Sequence, residues 1–395
     1  MTDPSGGGPT SVADHRDRVR AGVAQLTRSD LLPPGEALGR VLATDVVAAL
    51  SVPPFDHAAM DGFAVRAAEV GAPPVELPVA GVVAAGDTAP PSLPAGTAYR
   101  IMTGAPVPPG ADLVIPFEWT TGSDPVRLLR TAAAGRHVRR EGEDVRAGEV
   151  ALAAGTRVDA AQIGLLTSVG VVEVAVRPRP RLAVIATGAE LVGGQIPDSN
   201  TQMLLAAGRT AGAVAASHGP APDDPDAFRA ILAEAAEVSD LVVTTGGISA
   251  GDHDVVKAAL GAEDDFWFGP VELKPGRPQG FGRVRASDGR RVPVLALPGT
   301  PIAAYAAFLL FGREALARLG GRPAAGTRRA RLGVPVTAGD RTVVLPGRYD
   351  ENGHVVPLPG HAGHSQRLLA QAEVLMVVPP ARCELEAGRT IEVLV

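Results

Sequence analysis

The feature that most constrains this chain is a change of rhythm near residue 180. "RLAVIAT" (181–187), "DLVVTT" (240–245) and "VPVLALP" (292–298) are near-continuous apolar runs of strand length. Strands without polar alternation must be covered on both faces, as in parallel sheets flanked by helices. Helical stretches lie between them. One is capped by Asp198 or Ser199 and carries Leu204, Ala207, Gly208 and Ala211 on one face. A second has Asp224 as its cap and Pro225 at its first position, and its buried stripe is Phe228, Ile231, Leu232 and Ala235. "AVAASHG" adds a strand, "DVVKAAL" (254–260) a short helix, and Thr300 with Pro301 opens a helix running to about Leu319. The expected centre is a parallel α/β domain over residues 180–322.

The flanks read differently. Residues 51–140 are rich in Gly, Pro and β-branched residues, with short apolar runs between turn signals, which predicts a small β-domain. Residues 12–50 hold a helical stretch marked by Val19, Val23 and Leu26, and "DAAQIGLLTSVG" predicts a helix stopped by Gly170. After a basic Gly/Pro/Ala linker (320–330), residues 330–395 are strand-like again: "RTVVLPG", "HVVPL", "EVLMVVP", "TIEVLV". They predict a C-terminal β-domain. With aromatics at 4%, the cores must be built from Ala, Val and Leu.

Charge and composition exclude several classes. A net charge of −6 argues against a general nucleic-acid binder. The single cysteine, Cys383, rules out internal disulfides and Cys-based metal sites. The longest apolar run, 302–311, is too short to span a bilayer. No signal peptide is visible, and the polar, Gly-rich start reads as a tail, so a cytoplasmic protein without a membrane span is expected.

In open α/β sheets, ligands bind beyond the carboxyl ends of the strands. Three strands here empty into unusual loops: "ATGAEL" (186–191), "TTGGISAGDHD" (244–254) and "LPGTP" (297–301). Gly246, Gly247 and Gly251 let backbone N–H groups approach a ligand, and the helix near Asp254 presents its positive end. Such loops suit an anion, a phosphate or an oxyanion such as molybdate. Glu190, Asp252 and Asp254 stand on the same loops, and carboxylates at a phosphate site point to Mg²⁺. Asp254 is expected to serve a metal or ligand and Asp252 to cap the helix, with the reverse roles open. "LKPGRPQGFG" (273–282) places Lys274 and Arg277 on a proline-stiffened turn. Two cations held close call for an anion between them, although a plain surface turn also fits. "PPFDHAAMDGFAV" (53–65) projects Asp61 from a turn, and its His57 reads more readily as structural than as a ligand. Thr103 lies in a second Pro-rich loop, "RIMTGAPVPPGAD". No P-loop, GxGxxG, HExxH or GxSxG pattern is present.

Taken in order, "FDHAAMDGFAV", "RIMTGAPVPPGAD", "REGEDVRAGE", "IATGAELV", "IPDSN", "VVTTGGISAGDHDVVK", "KPGRPQGFG" and "LPGTPIAA" resemble the molybdopterin molybdenumtransferases of the MoeA and gephyrin E-domain type, from about residue 12 onward. The resemblance implies a multidomain α/β plus β fold. It has an elongated domain from two segments (12–50 and 141–179), a small β-domain (51–140), an α/β domain similar to molybdopterin adenylyltransferase of the MogA type (180–322) and a C-terminal β-domain (330–395). It implies a homodimer, Mg²⁺, and a reaction that takes adenylylated molybdopterin and molybdate and releases AMP. By position it gives catalytic roles to Asp61, Thr103, Glu190 and Asp254, with Glu190 and Asp254 on the metal. It gives substrate contacts to Asp223, Gly246, Gly247, Ser249, Lys274, Arg277, Pro298, Gly299 and Thr300, and allows molybdopterin adenylyltransferase as a partner.

The chain departs from the family pattern at His57, Ala58, Ala189, Arg277 and Thr300, and a family Arg falls near Pro346 and Arg348. The family's "GS" stretch falls at "HAGHSQRLL", where the resemblance offers Ser365 as the candidate substitute. These changes leave an alternative, a catalytically impaired paralogue acting as a dimeric scaffold. The "TTGG" loop alone would also fit an adenylyltransferase or a CinA-type nucleotide hydrolase, but "AMDG" and "RIMTGA" argue against that.

Overall fold

The computed structural model describes residues 9–249, 254–323, 328–360 and 365–395. The chain forms two compact units, one of Ser29–Val176 and one of Met1–Arg28 with Arg177–Val395.

The larger unit is built on a six-stranded sheet in the order Val214–Ser217, Arg181–Ala186, Leu241–Thr245, Arg291–Leu297, Pro278–Arg285, Phe266–Pro270. The first four strands run parallel, as the apolar runs predict. The last two are antiparallel, so the sheet is mixed. Pro278–Arg285 falls partly in the segment read from sequence as a turn. Its glycines explain the strand: a Cβ at Gly280 or Gly282 would collide with the rings of Phe268 or Phe266, which stack on each other.

Alternate residues of the parallel strands face opposite layers. Leu182, Val184, Leu241, Val243, Leu295 and Leu297 meet Leu204, Phe308 and Phe311 on one side. Ala183, Ile185, Val242, Val294 and Ala296 meet Phe228, Leu232 and Ala235 on the other. Each fully buried side chain of the Phe308 kind stabilises by about 1.5–3 kcal/mol. Asp224 caps Pro225–Val238 by accepting from the N–H groups of Asp226 and Ala227, with Pro225 at its first turn. The last helix of this layer is continuous from Pro301 to Leu319, with a π-helical stretch at Phe308–Gly312.

Helix Val12–Gly22, capped by Ser11, packs Val19 into the same core as Phe281 and Phe311. Its sequence neighbourhood grouped it with 29–50 and 141–179, but its apolar stripe is buried on the α/β layer. A second sheet follows the order Leu273–Lys274, Thr342–Tyr349, Val374–Val378, Thr390–Leu394, Arg328–Arg331. The C-terminal strands expected from sequence are therefore present.

In the unit Ser29–Val176, Val79–Val83, Ala98–Ile101, Gly62–Val65 and Leu113–Pro116 form a four-stranded sheet. Val46–Val47 pairs with Val150–Leu152, and Asp30–Leu32 with Val174–Val176, so the stretches before and after the β-rich segment pair with each other. Helix Ala160–Ser168 starts with a capping box between Asp159 and Gln162, and Gly170 follows it at φ 73°. No helix among the described residues is long and apolar enough to cross a membrane.

Candidate functional site

A cleft of about 580 Å³ opens beyond the carboxyl ends of the parallel strands. It collects Glu190, Asp223, Gly246, Gly247, Asp254 and Gly299 from four separate loops, one after each parallel strand. Five of the six lie on the three loops that follow the buried apolar strands, while Asp223 follows the largely exposed strand Val214–Ser217 and was named only through the family resemblance. Ser249, Lys274, Arg277, Pro298 and Thr300 are not part of that lining.

The loops are held by short-range geometry that needs glycine. Gly246 has φ 95° and Gly247 φ 66°, left-handed values that a side chain would strain. A Cβ on Gly246 would lie 2.8 Å from Thr187 Oγ1, and one on Gly299 would lie 3.3 Å from Gly246 Cα. At Gly188 (φ 148°) a Cβ would lie 2.5 Å from Glu190 Oε1, so the Glu190 carboxylate folds back over bare backbone. Backbone thus approaches the cleft unobstructed, as an anion cradle requires.

Each carboxylate has its own anchoring. Asp223 Oδ2 accepts from the Ala189 N–H at 3.1 Å, which holds the start of the short helix Ala189–Val192. This is how the departure at residue 189 enters the site, through its backbone. Asp254 stands at the N-cap position of Val255–Leu260 without a side-chain capping bond to that helix. Asp252 and Gly251 lie outside the described residues, so the capping role expected of Asp252 has no counterpart to report. Among the described residues no three His, Cys, Asp or Glu side chains gather closely enough to hold a metal ion. Mg²⁺ keeps several waters and shares substrate phosphate oxygens, so one or two carboxylates suffice for it. Glu190 and Asp254 on one cleft fit that demand.

Four hydrogen bonds at the cleft were missed from sequence. Asn200 Nδ2 donates to Thr245 Oγ1 (3.0 Å) and to the Gly299 carbonyl (2.7 Å). Gln366 Nε2 donates to Ser199 Oγ at 2.6 Å, bringing a residue from far along the chain to the cleft wall. Thr245 Oγ1 donates to the Pro298 carbonyl, which is how Pro298, itself buried, supports the site. Asp198, not Ser199, caps helix Ser199–Thr210, by accepting from Thr201 N–H. The motif "IPDSN" carried the only signal.

Lys274 and Arg277 are both exposed. Lys274 lies in a two-residue strand paired in parallel with Thr342–Val343, and Gly276 (φ 104°) makes the turn beyond it. A Cβ on Gly276 would lie 3.4 Å from Ala303 Cβ, so the turn passes the first turn of the helix that Pro301 opens. Pro346 is buried in the strand Thr342–Tyr349, and Arg348 is exposed two residues on.

The other predicted pair belongs to the unit Ser29–Val176. The Thr103 N–H and hydroxyl both donate to Asp61 Oδ1, each at 2.7 Å. The backbone bond and then the hydroxyl bond hold the Asp61 carboxyl below the usual carboxylate range. His57 Nδ1 meets the Ala58 carbonyl at 3.1 Å within a strand pair to Val138–Arg139, in line with a structural role.

A mixed sheet whose parallel strands end in glycine loops and carboxylates around one cleft has the α/β architecture in which ligands bind beyond the carboxyl ends of the strands. Comparison with known proteins narrows the class. Residues 10–170 match the MoeA N-terminal region (domain I and II), 183–318 a probable molybdopterin binding domain, and 329–395 the MoeA C-terminal region (domain IV). Molybdopterin molybdenumtransferase 2 of Mycobacterium tuberculosis is 40% identical over 97% of this chain and 98% of its own length. Molybdopterin molybdenumtransferase 1 of the same organism is 35% identical over the same shares. The crystal structure of a molybdopterin biosynthesis moeA protein from Pyrococcus horikoshii OT3 superposes with a TM-score of 0.82 at 26% identity, covering 98% of this chain and 100% of that one. The chain belongs to the molybdopterin molybdenumtransferase family, with its multidomain fold. It is an enzyme of molybdenum cofactor biosynthesis.

Proposed function

We propose that this enzyme takes adenylylated molybdopterin and molybdate, releases AMP and leaves molybdenum on the pterin dithiolene. The observation that carries this reading is the convergence of Glu190, Asp223, Asp254 and the Gly246–Gly247 loop on one cleft. Cleaving a phosphoanhydride beside an oxyanion needs its negative charge offset by fixed donors and a cation. Glu190 and Asp254 would hold Mg²⁺, which when bound supplies charge neutralisation to the phosphate oxygens. The Gly246 N–H is taken by the Leu297 carbonyl at 3.1 Å, so the Gly247 N–H is the donor that this loop would offer to the same oxygens. Asp223 keeps the Ala189–Val192 turn in place, and with it Glu190. Lys274 and Arg277 are the proposed molybdate pair; Arg in place of the family Lys keeps the charge and changes the donor geometry.

The same reading includes a cytoplasmic homodimer in which Asp61 and Thr103 of one protomer serve the cleft of the other. It includes molybdopterin adenylyltransferase as the source of the substrate. The four-domain boundaries given from sequence belong to it as well. None of the findings favours the impaired scaffold.

The test is an insertion assay with molybdate titrated against purified protein and adenylylated molybdopterin. Molybdate-dependent AMP release is expected, and Asp61→Ala is expected to abolish it. AMP release that ignores molybdate would overturn the reading, and unchanged turnover in Asp61→Ala would remove Asp61 from the site.

A further inference from the structure

Asn200 spends both amide hydrogens on the two glycine loops of the cleft. One goes to Thr245 Oγ1, on the strand end that precedes Gly246, and the other to the Gly299 carbonyl. The network fixes which amide atom is which. A carbonyl can only accept, and the Thr245 hydroxyl already gives its hydrogen to Pro298, so both partners need a donor. Oδ1 is therefore the remaining atom, and it is buried with no hydrogen-bond partner. A buried unpaired carbonyl costs roughly as much as its hydrogen bond would have returned, so Asn200 is a poor choice for stability. What it gains is a link between two loops that touch, with Gly299 and Gly246 at near-contact distance, made from a residue 45 positions before one and 99 before the other.

We propose, resting on the functional reading above, that Asn200 is a positioning residue for the substrate. It clasps the Thr245–Gly247 and Pro298–Gly299 loops in one register, the same register that the Gly246 N–H bond to the Leu297 carbonyl keeps, so that the N–H groups of Gly247 and Gly299 are set before the anion arrives. A clasp of this kind acts on binding of the phosphorylated substrate, because it lowers the cost of ordering the cradle. Its loss is felt equally by ground state and transition state, which raises KM and leaves kcat in place. A residue kept for folding would behave in the opposite way.

The experiment compares wild type with Asn200→Ala, reading KM and kcat for adenylylated molybdopterin together with the melting midpoint. Expected is a rise in KM of roughly tenfold, a kcat close to wild type, and a melting midpoint equal to or above that of wild type. An unchanged KM overturns the proposal, and so does a midpoint well below wild type, which would make Asn200 structural. Thr245→Val, which removes one arm of the clasp together with the bond from Thr245 to the Pro298 carbonyl and leaves Asn200 on Gly299, is expected to raise KM in the same direction. If Asn200→Ala does not fold, an unchanged KM in Thr245→Val overturns the proposal. Wild-type protein that releases no AMP would sink the functional reading instead. Equilibrium binding of the same substrate to the two proteins then decides the clasp on its own, with weaker binding to the variant for it and equal binding against it.

Discussion

Thr103 donates twice to a single oxygen of Asp61, from its backbone N–H and from its hydroxyl, both at 2.7 Å. The pair stabilises the ionised carboxylate and aims it by the lone pairs of Oδ1. Because the folded pKa is depressed, Asp61 stays charged well into acid and is protonated only when the pH falls through that lowered value.

Thr103→Val removes the hydroxyl bond and keeps the backbone one. Its expected result is a higher Asp61 pKa, seen by NMR titration of the side-chain carboxyl, and an acid limb of the pH–rate profile displaced toward higher pH. Turnover near neutrality should fall by roughly tenfold, the scale of one hydrogen bond to a charged group. An Asp61 titration identical in both proteins would contradict the role given to Thr103.

Glu190→Gln and Asp254→Asn each remove a charge from the same cleft. If these carboxylates hold Mg²⁺, the half-saturating Mg²⁺ concentration rises in both variants by on the order of 10–100-fold, the range seen when metal sites lose even supporting groups. Asp223→Asn keeps an acceptor for the Ala189 N–H and should leave Mg²⁺ dependence near wild type. A shared Mg²⁺ response across all three would show that charge alone matters and not position.

Gly246→Ala tests the cradle directly. The added Cβ meets Thr187 Oγ1 at 2.8 Å and forces φ 95° on a residue that resists it. Stability should drop by about 1–3 kcal/mol, read as a lower denaturant midpoint, and substrate binding should weaken. Gly289→Ala, also at positive φ but with open space around it, is the comparison for strain without collision.

How much of this was legible in sequence follows from range. The parallel strands announce themselves by unbroken apolar runs, and the residues just after them, Glu190, Gly246, Gly247 and Gly299, inherit a place in the cleft. The bonds of Asn200 and Gln366 were not legible, although "IPDSN" marked the neighbourhood of Asn200, because partners lie 99 and 167 residues away and Asn200 bonds to a backbone carbonyl that any residue would offer. Lys274 and Arg277 show the converse. Proline and glycine mark a stiff turn, but they do not fix where its cations point, and here the turn leads out of a strand of the second sheet. The antiparallel edge was missed for a related reason: glycines that read as turn residues make room for Phe266 and Phe268.

Asp240 provides the last prediction, away from the cleft. Its side chain is 1% exposed and faces Arg28, Arg181 and Arg290 at 2.6, 3.1 and 4.0 Å. Burial alone would push the carboxyl up, but the hydrogen bonds from Arg28 and Arg181 outweigh it, and the group ends below the usual range. A depressed folded pKa means its contribution to stability is complete above the unfolded carboxylate pKa of about 3.9 and is lost as the pH falls through the folded value. Asp240→Ala removes the shared counter-charge of three arginines that are themselves 34–43% exposed, and should cost about 1–3 kcal/mol at neutral pH, the scale of lost hydrogen bonds to a charged group, measured by denaturant unfolding. Since the wild-type carboxylate is neutralised in strong acid and the variant has none, the gap between the two proteins should narrow as the pH is lowered below 4. A gap that stays constant down to the acid transition would mean that Asp240 acts through packing and not through its charge.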